Sequence, residues 1–555
     1  MLTARFTNPR GIWGDGSTLF VADTGNHAIR KIDLQKGIVS TIAGSYQGNV
    51  DGNGSTALLN SPTGIWGDGN NLYVVDSGNN RIRRLSPPGP ESQPAASPAA
   101  IPYRIADRGG MSLTSYGAEA TRVGYARVIP AAGSTSPTGM AIFGFRQGGV
   151  LVSEAAVAAS APMRFGRIYV EIRDSVNTGV AIANSNPQPA RVSFYFTDVN
   201  GVNQLAGAVE IAANTQVAAF LDQLPFFTNE SFRPRLDTLR TFTFTSLVPI
   251  GVVALRGITN ERSEFLITTL PVTAIDQTPP VSVSFPHFAD GSGWKTQLVL
   301  INPADTTISG SIQFLTLGVP APFNYSIPPR GSFKLETSST DALIRTGWVR
   351  VFPATGSVTP SGLLLFSYHA NGVTVSEAGV AALPYTSASR LYVETAGDFN
   401  VSAAGAIQTG FAIGNPSTTD VTISLELTTL DGKSTGLTGK ATVPGSEQVA
   451  MFLNQIEGFR TLPTPFQGVL RISGANVFVA GLRGRYNERG DFLITTTPPV
   501  DETATVTSEL LFSHFADGGG YSTQFVLFSG SAGPIPNGSL RFLAQTGRAI
   551  GLTLK

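Results

Sequence analysis

The chain has no cysteine among its 555 residues. That excludes disulfides, thiolate metal sites and cysteine nucleophiles together. Only 14% of residues are charged, and 38 Lys+Arg stand against 38 Asp+Glu. A broad electrostatic grip on nucleic acid or on an anionic membrane surface is therefore not expected. Histidine is scarce, with four residues, which leaves little material for a His-based triad or a His-rich metal centre. No apolar run approaches the roughly 20 residues that span a bilayer. The opening stretch MLTARFTNPRGIWGDG shows no basic segment followed by an apolar one, so no signal peptide is visible. P-loop, HExxH, nucleophile-elbow and dinucleotide-binding glycine patterns are missing as well.

What is abundant is turn chemistry and β-forming residues. With 61 Gly, 36 Pro and 42% apolar content, the composition suits a folded, turn-rich chain. Its length exceeds one core, so several domains are expected.

Internal repeats organise the chain. LFVADTGNHAIRKIDL (Leu19–Leu34) returns as LYVVDSGNNRIRRL (Leu72–Leu85), with Asp23 matching Asp76 at a spacing of 53 residues. Around the first copy, GIWGDG, TLFVAD, HAIRKIDL and IVSTIAG read as four short strands separated by Gly and Asn turns. The second copy gives three such runs and stops at SPPGP. Together these segments closely resemble NHL repeats, which build β-propellers. The resemblance covers residues 1–87. It implies propeller blades, although a closed propeller takes about four to eight of them. A proline-rich segment, 88–104, reads as an extended linker.

A longer repeat fills the rest. GYARVIPAAG (Gly124) returns as GWVRVFPATG (Gly347), and VSEAAVAA (Val152) as VSEAGVAA (Val375), both 223 residues on. QVAAFLDQL (Gln216) returns as QVAMFLNQI (Gln448) at 232, and LRGITNERSEFLITTLP (Leu255) as LRGRYNERGDFLITTTP (Leu482) at 227. HFADG at His287 and at His514 keeps the last spacing. The period suits two alternating β-sandwich units of Ig or fibronectin-like size. The expected order is a second half-unit at 105–162, full units at 164–272, 280–385 and 388–499, and a first half-unit at 506–555. The fold class is all-β: partial NHL-type blades followed by tandem Ig-like sandwiches resembling modules of secreted bacterial proteins. Alternation supports the strands, with Val192, Phe194 and Phe196 on one face, and Val421, Ile423, Leu425 and Leu427 on another. The runs AAFLDQL and AMFLNQI are the helix-like exceptions.

Candidate binding residues follow from polar density. The hairpin motif LRGxxNERxxFLITT groups Arg256, Glu261 and Arg262, and again Arg483, Glu488 and Arg489. Arginine forks suit a carboxylate or sugar ligand, but equally a local Arg–Glu pair, with Glu154 and Glu377 of VSEA as further partners. HFADG offers His287 with Asp290 and His514 with Asp517, enough to staple a turn but too few ligands to enclose a metal. His27 reads as a turn residue of the blade. Asp51, Asn53 and Ser55 alternate as in a calcium loop, but no later Glu completes it. Trp13 and Trp66 recur at one strand position, as packing residues do. No catalytic residue, metal or cofactor is assigned.

The expectation for function is a non-catalytic extracellular or cell-surface protein, adhesive, scaffolding or ligand-binding, and a piece of a longer chain. Its ligand would be a protein or a carbohydrate. The two half-units also raise head-to-tail self-association. Two alternatives stand beside this: a propeller-type lyase or hydrolase with accessory sandwiches, and an intracellular NHL protein that binds RNA or protein.

Overall fold

A computed structural model of the chain describes residues 5–14, 18–34, 38–44, 46–51, 57–67, 72–85, 100–115, 121–277, 282–315, 322–533 and 535–555. It is almost entirely β-stranded, as the alternating sequence demands. Two compact units divide it, Met1–Ser97 and Pro98–Lys555.

In the first unit a four-stranded antiparallel sheet runs in chain order through Pro9–Gly14, Thr18–Asp23, Ala28–Asp33 and Ile38–Ala43. A three-stranded sheet follows, Pro62–Gly67, Leu72–Asp76 and Arg81–Leu85. These are propeller-like repeats with a small shared core of Ala22, Ile29, Ala43, Leu59 and Val74. Each copy is pinned by its buried aspartate. Asp23 accepts hydrogen bonds from the Thr7 N–H (2.7 Å), Asn26 Nδ2 (2.9 Å) and Arg30 Nε (2.8 Å). Asp76 accepts from the Asn60 N–H (2.6 Å), Asn79 Nδ2 (2.8 Å) and Arg83 (3.2 Å). The recurring Asp, Asn and Arg are thus one network that closes a turn and ties the preceding segment to it.

The second unit is a closed cycle of four sandwiches. Its third member is two four-stranded sheets, Val283–Asp290, Arg345–Pro353, Ile308–Leu315, Phe323–Ile327 against Ser332–Glu336, Trp294–Ile301, Ser361–Ala370, Val373–Ala381. Its first member has the same strand order, assembled from both ends of the unit. One sheet there runs Leu510–Asp517, Arg122–Pro130, Asn537–Ala544, Ile101–Arg104; the other runs Val150–Ala158, Thr138–Gln147, Tyr521–Phe528, Gly110–Thr114. The two half-units therefore complete one another within a single chain. The open edges that head-to-tail self-association would pair between chains are paired within this one. Ile101–Arg104, read from sequence as the end of the linker, is a strand of this sandwich.

The second and fourth members are eight-stranded. In each, one 21-residue strand, Leu239–Thr259 or Phe466–Tyr486, serves both layers. Its early half pairs with strands of one layer and its late half with strands of the other. The helix-like runs resolve otherwise than expected: Gln216–Phe220 and Gln448–Phe452 are strands, and only Leu453–Gln455 makes a 3-10 turn. Pairing with Val176–Ala183 and Ile407–Gly414 overrides the local helical pattern there.

One strand from each sandwich faces the centre. In cyclic order these are Val150–Ala158, Phe265–Leu270, Val373–Ala381 and Phe492–Thr497, each packed on the next.

Candidate functional site

The interfaces of the cycle absorb the polar motifs. Arg256, almost fully buried, donates to both carboxylate oxygens of Glu377 (2.5 and 2.6 Å) across the second and third sandwiches, and to Glu171 within its own (3.3 Å). Arg483 repeats this across the fourth and first, with Glu154 at 2.5 Å and Glu394 at 3.3 Å. Burial opposes the charge on Arg483, but Glu154 and Glu394 outweigh it and raise the guanidinium pKa. The VSEA glutamates are thus the partners of the LRG arginines.

The hairpin tips interlock in the same reciprocal way. Glu261 accepts from the Thr374 N–H at 2.7 Å, and Glu488 from the Leu151 N–H at 2.8 Å. Burial opposes ionisation of Glu488, yet the Leu151 N–H and Arg146 hold its carboxyl down to about 2. Between the second and fourth sandwiches, Arg262 pairs with Asp491 (2.8 Å) and Arg489 with Glu264 (2.6 Å). Equivalent residues exchange partners, which is the signature of a pseudo-two-fold axis.

The HFADG residues separate in role. Asp290 accepts from the Ser339 N–H at 2.8 Å and holds a loop. Asp517 is buried, with Oδ1 lacking a hydrogen-bond partner. Burial pushes both His287 and His514 down to about 4, so both are neutral imidazoles near pH 7. His514 Nδ1 lies 3.3 Å from Gln216 Nε2, and His287 meets the equivalent Gln448. Neither His–Asp pair forms a joint site. His27 adopts φ +52° and its Nδ1 accepts the Ser61 N–H at 3.0 Å, a turn residue that links the two blades. Asn53 and Ser55 lie outside the described residues; Asp51 pairs with Arg83 at 2.5 Å. Among the described residues no three His, Asp or Glu come together as a metal-binding group, and no helix is long and apolar enough to cross a membrane.

Sequence reasoning passed over two fully buried arginines inside RIYVE and RLYVE. Arg167 donates to the Asn302 carbonyl (2.5 Å), and Arg390 to Ser529 O (3.1 Å) and Glu502 (2.7 Å). The signal was present as an Arg directly preceding an apolar run inside a strand in both copies. It also passed over a cavity of about 720 Å³ between the third and fourth sandwiches. Its wall carries Trp294, Tyr368, Phe399, Phe452, Tyr486 and Phe492, drawn from six separate segments. None of these positions is adjacent in sequence to another, so no local motif announced the cavity.

Comparison with curated proteins matches only a small part of the chain. NHL repeat-containing protein 2 of Gallus gallus is 42% identical over 71 residues, 13% of this chain and 10% of that protein. The Bos taurus and Homo sapiens proteins of the same name are 36% and 35% identical over 98 and 101 residues, 15% of this chain and 14% of theirs. The match thus spans a small part of either partner. No family model matches the chain. A solved chain titled "Structure of infectious bursal disease virus Gx strain" covers 69% of this one at 8% identity with a TM-score of 0.10, too low to indicate a shared fold.

Proposed function

We propose that this chain is a non-catalytic binding scaffold of an extracellular or cell-surface protein. The propeller-like blades offer a protein-binding face, and the four-sandwich cycle is a rigid body that holds ligand sites in fixed relation. The observation that carries this is the fate of the charged hairpins. Arg256, Arg262, Arg483 and Arg489 each meet a carboxylate of another sandwich, so they build the body rather than a reaction centre. Protein binding by the blades is supported by Ile12, Trp66 and Ile82, which are 61%, 59% and 73% exposed. The NHL similarity points the same way.

Limited proteolysis tests the rigid body. The first cuts are expected between Leu85 and Ile101, releasing an intact core that ends at Lys555. Early cuts between the sandwiches would overturn the scaffold. Protease treatment of intact host cells tests location: cleavage without permeabilisation is expected, and protection equal to that of a cytosolic marker overturns it.

A further inference from the structure

Because the sandwiches recur, each wall of the large cavity has a counterpart elsewhere in the same chain. Between the first and second sandwiches lies the equivalent cavity, about 350 Å³, lined by His514, Tyr521, Phe220 and Phe265. These match His287, Trp294, Phe452 and Phe492. The cavity between the third and fourth is twice as large and more aromatic, for two local reasons. Tyr486 stands where the second sandwich has Thr259. The loop after Glu394 is also longer: Thr178 is seven positions after Glu171, but Thr409 is fifteen after Glu394. That loop brings in Phe399, whose ring centre lies 5.2 Å from Phe452, 5.1 Å from Tyr486 and 6.1 Å from Phe492.

A cavity elaborated in one copy and plain in the other is not required by the architecture. Packing alone would leave both alike. Six aromatic rings, each only partly buried, surround a space in the range of small-molecule sites, roughly 300–1,000 Å³. Trp294 and Tyr368 lie 4.8 Å apart, and both meet Phe492 edge-on at 6.3 Å, so that with Phe399 and Tyr486 they form one continuous aromatic surface. Neutral hydrogen-bonding groups, Asn371, Gln455 and His287, also line the cavity. Arg489 and Asp491 also line it, but their charges are matched by Glu264 and Arg262. The space is therefore apolar on its faces, polar at its edges and electrically balanced.

We infer that this cavity binds a neutral carbohydrate. A sugar ring has apolar C–H faces, whose slightly positive hydrogens complement the negative faces of aromatic rings, and hydroxyls around its rim. That distribution matches the walls. A cationic ligand would meet Arg489 and find no free carboxylate, and an acidic one would find no unmatched cation among these lining residues. This inference rests on the binding-scaffold reading and names a ligand class for it.

The test uses the whole chain on an array of neutral and acidic oligosaccharides, followed by isothermal titration calorimetry with the best neutral hit. Variants convert the site to its own counterpart: W294Y installs the residue found at Tyr521, and Y486T the one found at Thr259. Both residues already work at equivalent positions, so the fold should hold, and an unchanged melting temperature checks it. Binding to neutral glycans, weakened at least tenfold by Y486T and by W294Y, is the expected result. No glycan binding, binding only to acidic glycans, or binding indifferent to both variants overturns the assignment. The cell-surface and proteolysis experiments are independent of it: success there with failure here removes the sugar and keeps the scaffold, and failure there removes the scaffold whatever the array shows.

Discussion

At the scale of single residues, the buried ion pairs decide how the chain responds to substitution and to pH. Arg256 and Glu377 have side-chain exposures of 6% and 3%. Removing one partner leaves an uncompensated charge away from water, which typically costs about 3–5 kcal/mol, whereas replacing both by apolar residues is often neutral. R256M is therefore expected to lower the melting temperature of the second unit markedly, and R256M/E377M to recover most of the loss. Calorimetry of the three proteins checks this. The histidines govern pH. The folded pKa of His287 and His514 is depressed to about 4 from an ordinary 6.5. The unfolded chain then binds more protons between these values, so stability falls as pH drops from 6.5 toward 4. The carboxylates held low, Glu488, Glu264 and Asp491, add to this only from the lower end of that window, and their stabilisation is lost as pH falls through their folded values. A melting series from pH 7.5 to 4.5 should show a slope that H287Q/H514Q flattens.

Individual elements were readable to the extent that their neighbours are near in sequence. Val192, Phe194 and Phe196 alternate in the sequence and are all buried in the strand Ala190–Asp198. The blade strands and their Gly-Asn turns were equally plain. The pattern failed where a distant strand decides the outcome, as at Gln448–Phe452, which follows Ile407–Gly414 rather than its own helical spacing. The polar motifs were visible as motifs, but not their partners. Arg256 and Glu377 are 121 residues apart, and nothing local tells which VSEA glutamate meets which LRG arginine. The aromatic cavity was hidden for the same reason. The central strands show how tightly these elements meet. A Cβ on Gly379 would lie 2.5 Å from the Thr269 carbonyl oxygen of the adjoining sandwich, closer than real Cβ contacts come. G379A should therefore force the strands apart at a cost of about 1–3 kcal/mol, as overpacking does. Denaturant unfolding should register this, and a neutral G379A would mean the central contact is looser than described.

For the molecule as a whole, closure depends on the last fifty residues reaching back to the start of the second unit. The core of the first sandwich contains Tyr103, Ala126, Val128, Ala141 and Phe143 from its N-terminal part, and Leu510, Phe512, Phe515, Phe525, Leu527, Leu540 and Phe542 from its C-terminal part. Without the latter, Arg122–Pro130 loses both neighbours, Leu510–Asp517 and Asn537–Ala544, and Thr138–Gln147 loses Tyr521–Phe528. Unpaired edges beside an uncovered apolar face are a template for aggregation. Loss of this sandwich also opens the cycle, because Glu154 and Leu151 then no longer anchor Arg483 and Glu488. A chain ending at Val506 is thus expected to damage the fourth sandwich as well as the first, although it deletes no residue of the fourth. Hydrogen exchange can separate the two cases. If closure is cooperative, protection in Phe466–Tyr486 should fall along with protection in Arg122–Pro130. If exchange rises only in the first sandwich, the members are independent beads, and the rigid cycle is not the functional body.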